Sequence, residues 1–130
     1  MQLRKSRIKT CRLNLKTTQK FKSWLAGLID GEGNFYFKET STCQIRIVLE
    51  ERDKFVLDYI QENIGGFLFY RKPQKSWELH WKPQWEWRVS SKIDCLKFTE
   101  WILPELILKK NTANDFYLRV LNSVPKGVLI

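Results

Sequence analysis

The chain has 130 residues, 43% of them hydrophobic, and 23 Lys and Arg against 14 Asp and Glu give it a formal net charge of +9. This predicts one domain with enough apolar residues for a core, and a charge that asks for an anionic partner. No apolar run approaches the ~20 residues of a membrane span and no secretory signal is visible, so nucleic acid is favoured over a membrane. Cys11, Cys43 and Cys95 are odd in number and far apart, with neither metal-ligand spacing nor a disulfide framework, and read as reduced thiols. His80 is the single histidine, which argues against a His-based metal or triad site.

Residues 1–29 carry eight Lys and Arg and no acid. Residues 1–17 are expected to form a basic arm, contacting phosphates or disordered, with an organellar transit remnant as the other option; residues 18–130 form the domain. Thr17 and Thr18 are candidate N-caps for a helix whose apolar face is Phe21, Trp24, Leu25, Leu28 and Ile29. Ala26 and Gly27 leave its other side nearly bare, and Gly27 and Gly31, four apart, would let a second helix backbone approach; Asp30 joins that face. The helix runs into Asp30-Gly31-Glu32-Gly33. That tetrapeptide could be a glycine cap and a turn. Acids at a helix C-terminus are unfavourable by roughly 0.3–1 kcal/mol each, however, and placing two there suggests that a cation is expected.

Residues 34–39 read as a strand. Residues 44–50 alternate, with Ile45, Ile47 and Leu49 on one side and Gln44, Arg46, Val48 and Glu50 on the other. Residues 53–64 suit a helix with Phe55, Val56, Tyr59, Ile60 and Ile64 apolar, ended by Gly65-Gly66. A third strand covers residues 67–72. Trp77, Trp81, Trp85 and Trp87 fall in a predicted hairpin turning near Lys82-Pro83-Gln84, with the tryptophans packing in the core and across strands rather than stacking on bases. A helix over residues 93–103 is opened by Ser90 or Ser91 and closed by Pro104. The last helix, 111–122, has Phe116, Leu118, Val120 and Leu121 apolar. This order predicts an α+β domain, αββαββα(α), with a four-stranded antiparallel sheet and helices on one face, leaving the other face open and basic.

Residues 25–33, Leu-Ala-Gly-Leu-Ile-Asp-Gly-Glu-Gly, resemble the signature of the LAGLIDADG homing endonucleases at seven of nine positions, with Gly31 for the usual Ala and Glu32 for the usual Asp. The element order resembles that fold from about residue 18 to 122. The resemblance implies a saddle-shaped sheet on the DNA major groove and two motif helices packed at its centre. With a single motif the chain would act as a homodimer through Ala26, Gly27, Asp30 and Gly31. It would cut a palindromic or pseudopalindromic duplex on both strands to leave 3′ overhangs, in the service of the mobility of the intron or intein that encodes it, with an intron favoured. Metal-assisted hydrolysis supplies the chemistry, with Mg2+ or Mn2+ as cofactor.

By the same resemblance the metal ligands are Glu32 and the Gly31 carbonyl, and Asp30 holds the helix end. Lys109, with Lys110 as fallback, polarises water or phosphate. Glu51 stands where the family often has a water-positioning Gln. The DNA contacts implied are Asn34, Tyr36, Lys38, Thr40, Gln44, Arg46, Tyr70, Lys72, Lys75, Glu86 and Arg88, a set able to read base edges. Two other readings keep the fold: an RNA maturase acting on the host intron RNA, and a DNA-binding regulator without cleavage. The compartment is open between an organelle and a prokaryotic cytoplasm.

Overall fold

The computed structural model describes residues 11–39, 42–72 and 82–125. The chain order is α1 (Gln19–Glu32), β1 (Gly33–Lys38), β2 (Thr42–Glu50), α2 (Lys54–Ile64), β3 (Phe67–Arg71), β4 (Gln84–Val89), α3 (Lys92–Ile102) and α4 (Lys110–Asn122), with short 3-10 turns at Glu51–Asp53 and Leu103–Glu105. The four strands form one antiparallel sheet in the order β1-β2-β4-β3. This is the α+β architecture expected from the sequence.

Thr18 is the N-cap of α1, its hydroxyl accepting from the Phe21 N–H at 3.1 Å. Ser91 does the same for α3 with Asp94 N–H. Such caps satisfy backbone donors that the first helical turn leaves unpaired. The core lies between the sheet and the helices. It is built from Phe21, Leu25 and Ile29 of α1, Ile45 and Ile47 of β2, Leu57, Ile60 and Ile64 of α2, Trp87 of β4, and Phe98 and Phe116 of α3 and α4. Trp87 is fully buried and donates its indole N–H to the Gly65 carbonyl at 2.8 Å. Gly66 sits against this ring with φ of 97°, and a methyl group there would lie 2.3 Å from Trp87 Nε1. Only glycine offers both that backbone conformation and that space.

Several apolar residues face elsewhere than expected. On α2 the buried face is Leu57–Ile60–Ile64, and Phe55 and Tyr59 are exposed. Trp24 is exposed as well and makes an aromatic cluster with Phe21 and Tyr59. On α4 Ala113, Phe116 and Val120 are buried, while Leu118 and Leu121 are exposed. Ala26 is 1% exposed within the core, so it belongs to this chain's own packing and not to a bare face. The hydrophobic face of each helix follows the 3.6-residue repeat rather than apolar character alone.

Trp77, Lys75, His80 and Trp81 lie outside the described residues, as does the strand that would precede a turn at Lys82-Pro83-Gln84. Gln84 is the first residue of β4, whose partner across the hairpin is β3, and Pro83 accepts from Glu51 N–H at 3.0 Å. Residues 11–17 run along the helical layer: Leu13 and Leu15 pack against the core, Arg12 N–H donates to Asp94 at 2.7 Å, and Asn14 N–H to Ile64 at 3.0 Å. Residues 1–10 lie outside the described set. All three cysteines are free thiols, and among the described residues no helix is long and apolar enough to cross a membrane.

Candidate nuclease site and nucleic-acid interface

Helix α1 continues through Gly31 to Glu32, and β1 begins at the next residue. Asp30-Gly31-Glu32-Gly33 is therefore a helix-to-strand join without a loop. The cap at Gly33 is extended (φ −78°, ψ 158°), not left-handed. Glycine is needed at 33 for space, because a methyl group would lie 2.7 Å from Ile29 Cγ2 and 2.8 Å from the Ile29 carbonyl oxygen.

The last turn of α1 contains Asp30 and Glu32 and no basic residue. Asp30 is compensated from a distance in sequence. Its carboxylate accepts from Ile107 N–H at 2.9 Å and from Lys109 N–H at 3.0 Å, while the Lys109 ammonium donates to the Ile29 carbonyl at 3.2 Å. Burial pushes the Asp30 carboxyl up, but the backbone N–H groups of Lys109, Ile107 and Leu108 and the Lys109 charge outweigh it and hold it below the usual carboxylate range. Gln19, Ser23 and, two turns later, Asp30 share a stripe of α1; Glu105 accepts from Gln19 at 2.8 Å and from Ser23 at 3.1 Å. The segment 103–109 is thus stitched along α1, with Asp30 bonded to main-chain N–H groups of its own chain. Lys110, the fallback, opens α4 and is exposed.

Glu32 is exposed and has no ion-pair partner among the described residues. It stands at the negative end of the helix beside carbonyls that lack intrahelical partners, that of Gly31 among them. A carboxylate and a carbonyl are hard oxygen donors of the type that Mg2+ and Mn2+ take. Among the described residues there is no group of three or more His, Cys, Asp or Glu able to hold a metal, so one chain offers only part of a coordination shell. Magnesium keeps several waters and needs one or two carboxylates, which fits this donor set. Glu51 is not brought to it. Gly33 pairs with Ile47, and Glu51 stands four residues further on, just past the end of β2, about 14 Å away at 3.4 Å per residue.

Gly27 and Gly31 are exposed, and a methyl group at either would meet nothing within 4 Å. A glycine inside a helix costs about 1 kcal/mol relative to alanine. Nothing among the described residues explains two of them on one open stripe.

The outer sheet face carries Asn34, Tyr36 and Lys38 of β1, Gln44 and Arg46 of β2, and Glu86 and Arg88 of β4, as expected from the alternation. Register aligns Asn34, Arg46, Arg88 and Phe67 in one row across all four strands. Arg46 and Arg88 are directly opposed, a pairing of like charges that the Glu86 carboxylate bonded to Arg88 offsets. Arg46 lies over the Tyr36 ring at 5.2 Å and Arg88 over Phe69 at 4.3 Å. Glu86 is on this face yet only 2% exposed, bonded to Arg88 Nε with Arg71 Nη1 at 3.9 Å. It is a buried anchor and not an open contact.

Tyr70 is a correction: it pairs with Trp85 and packs against it with the rings tilted, centroids 5.3 Å apart, on the helix side of the sheet. The outward residues of β3 are Phe67, Phe69 and Arg71, which the sequence reading missed. Phe-Leu-Phe-Tyr-Arg has no alternation from which to tell the faces, and only the pairing Phe69↔Glu86 decides it. Gln84 and Thr42 also point outward; Lys72 follows β3 and is exposed, while Thr40 lies outside the described residues.

Residues 25–118 match the family described as LAGLIDADG endonuclease. The chain is 37% identical over 57 residues to the intron-encoded RNA maturase bI4 of Saccharomyces cerevisiae, a match spanning 44% of this chain and 9% of that protein. Among solved structures it is similar to the homing endonuclease I-CvuI, crystallised with its DNA target and calcium (TM-score 0.61, 22% identity, covering 85% of this chain and 74% of that one). It is also similar to the homing endonuclease I-TnaI (TM-score 0.56, 24% identity, covering 77% and 71%). At these identities the likeness is one of fold.

Proposed function

Because the chain belongs to the LAGLIDADG endonuclease family, we propose that it is a homing endonuclease. It cuts a palindromic or pseudopalindromic duplex DNA site as a homodimer with Mg2+ or Mn2+, leaves 3′ overhangs, and is encoded by the intron whose mobility it drives. The observation that carries this reading is the position of Glu32: an exposed carboxylate, unpaired among the described residues, at the end of α1, one residue from a sheet whose outer face is lined with Arg, Lys, Asn and Gln.

In this reading Glu32 and the Gly31 carbonyl hold the metal, which when bound supplies an activated water and charge neutralisation at the phosphate. Asp30 fixes the segment 107–109 and so places the Lys109 ammonium at the helix end, where it offsets the helix field and can meet a phosphate oxygen. The outer sheet face orients the duplex, with phosphate contacts setting register and base contacts setting sequence. Gly27 and Gly31 admit the α1 helix of a second copy, which brings two Glu32 carboxylates together and gives one cut per strand. The position of Glu51 makes it a poor water-positioning residue within one chain.

The maturase match supports a second reading, in which the same fold binds intron RNA. One experiment separates them. The protein is incubated with a randomised duplex DNA pool, with magnesium or with chelator, and the cut ends are sequenced. Magnesium-dependent cutting at palindromic sites with 3′ overhangs is expected. Absence of cutting, with tight binding to structured RNA, would reject the nuclease in favour of the maturase; tight binding to a duplex palindrome alone would make it a regulator.

A further inference from the structure

We propose that Arg88 reads one guanine in each half-site, and that Glu86 and Phe69 are positioning residues that hold its guanidinium in the plane required. The inference rests on the outer sheet face being the DNA-binding surface.

An arginine side chain has about 2 kcal/mol of rotamer entropy to lose on binding. Here much of it is already lost. The Nε–H donates to Glu86, and the guanidinium lies 4.3 Å over the Phe69 ring. Glu86 is itself fixed: it is buried, and Arg71 flanks its other carboxylate oxygen at 3.9 Å. With Nε engaged and one face covered, the donors left to Arg88 are its two terminal NH2 groups, an edge of paired N–H bonds. In the major groove only guanine offers two adjacent acceptors, O6 and N7; adenine offers N7 beside a donor, thymine O4 beside a methyl group, and cytosine a donor. An acid buried in a DNA-binding face weakens attraction to phosphate while fixing a direction, an exchange suited to a base and not to the backbone. Arg46, directly opposite, shows the contrast. It has an aromatic ring beneath it but no carboxylate within 4.0 Å among the described residues, so its plane is free to turn.

The test is selection of binding sites from a randomised duplex pool by the full chain. The wild type should fix one guanine per half-site. Replacing that base by 7-deazaguanine, which lacks the N7 acceptor, should weaken wild-type binding roughly five- to 150-fold, the range for a bidentate base contact. The same replacement should cost Arg88→Ala nothing further, and this variant should accept all four bases there. Glu86→Gln, which keeps the shape and removes the charge, should relax the preference at that position and at no other. If Glu86→Gln fails to fold by circular dichroism, Phe69→Leu tests the same support, again with a relaxed preference expected. An unchanged guanine preference in Arg88→Ala, or equal losses with 7-deazaguanine in both proteins, overturns the assignment. Duplex binding with no fixed guanine overturns it while leaving the DNA-binding reading intact, whereas no binding to any duplex overturns both.

Discussion

Asp30 and Arg88 are both partly buried charged side chains at the working edge of the fold, and they are held in different ways. Asp30 is gripped by main-chain N–H groups of a segment 77 and 79 residues further along the chain. Arg88 is gripped by side chains of its own sheet, Glu86 two residues back and Phe69 across the strand pair. Backbone contacts do not change when a side chain is replaced, whereas side-chain contacts do. The motif end is thus built to stay the same under substitution, whereas on the sheet face a single replacement releases the arginine it holds.

The sharpest way to separate the two regions is to remove the chemistry and keep the reading. Glu32→Ala should lower cleavage by on the order of 10²–10³-fold, the scale of losing a charge contact made in the transition state, while gel-shift affinity for the duplex changes little. Cleavage at the wild-type rate would remove Glu32 from the catalytic role. Next in size, Gly66→Ala attacks the sheet through its backbone: a positive φ and a 2.3 Å approach to Trp87 should cost about 3 kcal/mol or more of unfolding free energy, read from urea melts.

Asp30→Asn should cost about 1.5–3 kcal/mol, the range for hydrogen bonds to a charged group, with a signature in pH. Because the folded carboxyl is held below its ordinary value, its stabilisation is complete above the unfolded value of about 4 and is lost as pH falls through the lower folded value. Thermal melts should therefore show a steeper acid limb in the wild type than in the variant; parallel limbs would show that the 107–109 contacts contribute nothing. Gly27→Ala sets the helix against the dimer. Helix propensity alone predicts a gain of about 1 kcal/mol in the monomer, since a methyl group there has open space, and close helix packing predicts weaker self-association by sedimentation. A more stable variant with undiminished association would place the dimer contact elsewhere. The smallest effect is graded: binding should weaken linearly in log–log with added salt, and Lys38→Ala should reduce that slope by about 1 if it touches phosphate.

The elements were legible where pattern and burial coincide. Ile45 and Ile47 alternate with Gln44 and Arg46, and the strand and both of its faces follow. Thr18 and Ser91 mark helix starts because their hydroxyls are the acceptors those starts need. What stayed hidden was set by contacts distant in sequence. Phe55 and Tyr59 are apolar by composition but exposed by helical phase, and Leu57 takes the core. Ala26 looks like part of a bare face in the sequence, yet it is packed within the core. Tyr70 and Phe69 exchange sides only when β3 is paired with β4. Within the site, Glu32 and the sheet row were readable from the motif and the alternation, but nothing near Asp30 announces Ile107 as its partner, and nothing near Glu86 shows that it is buried beneath two arginines.

The join between Glu32 and Gly33 has a further consequence. With no loop between α1 and β1, the two elements turn together like meshed gears. One inserted residue before Gly33 would rotate the rest of the helix by about 100° against the strand. If the strand slipped instead, every side chain of β1 would change faces. Length at this junction is therefore locked: side chains on the sheet can be exchanged without disturbing it, but the chain cannot grow or shrink where the helix becomes a strand.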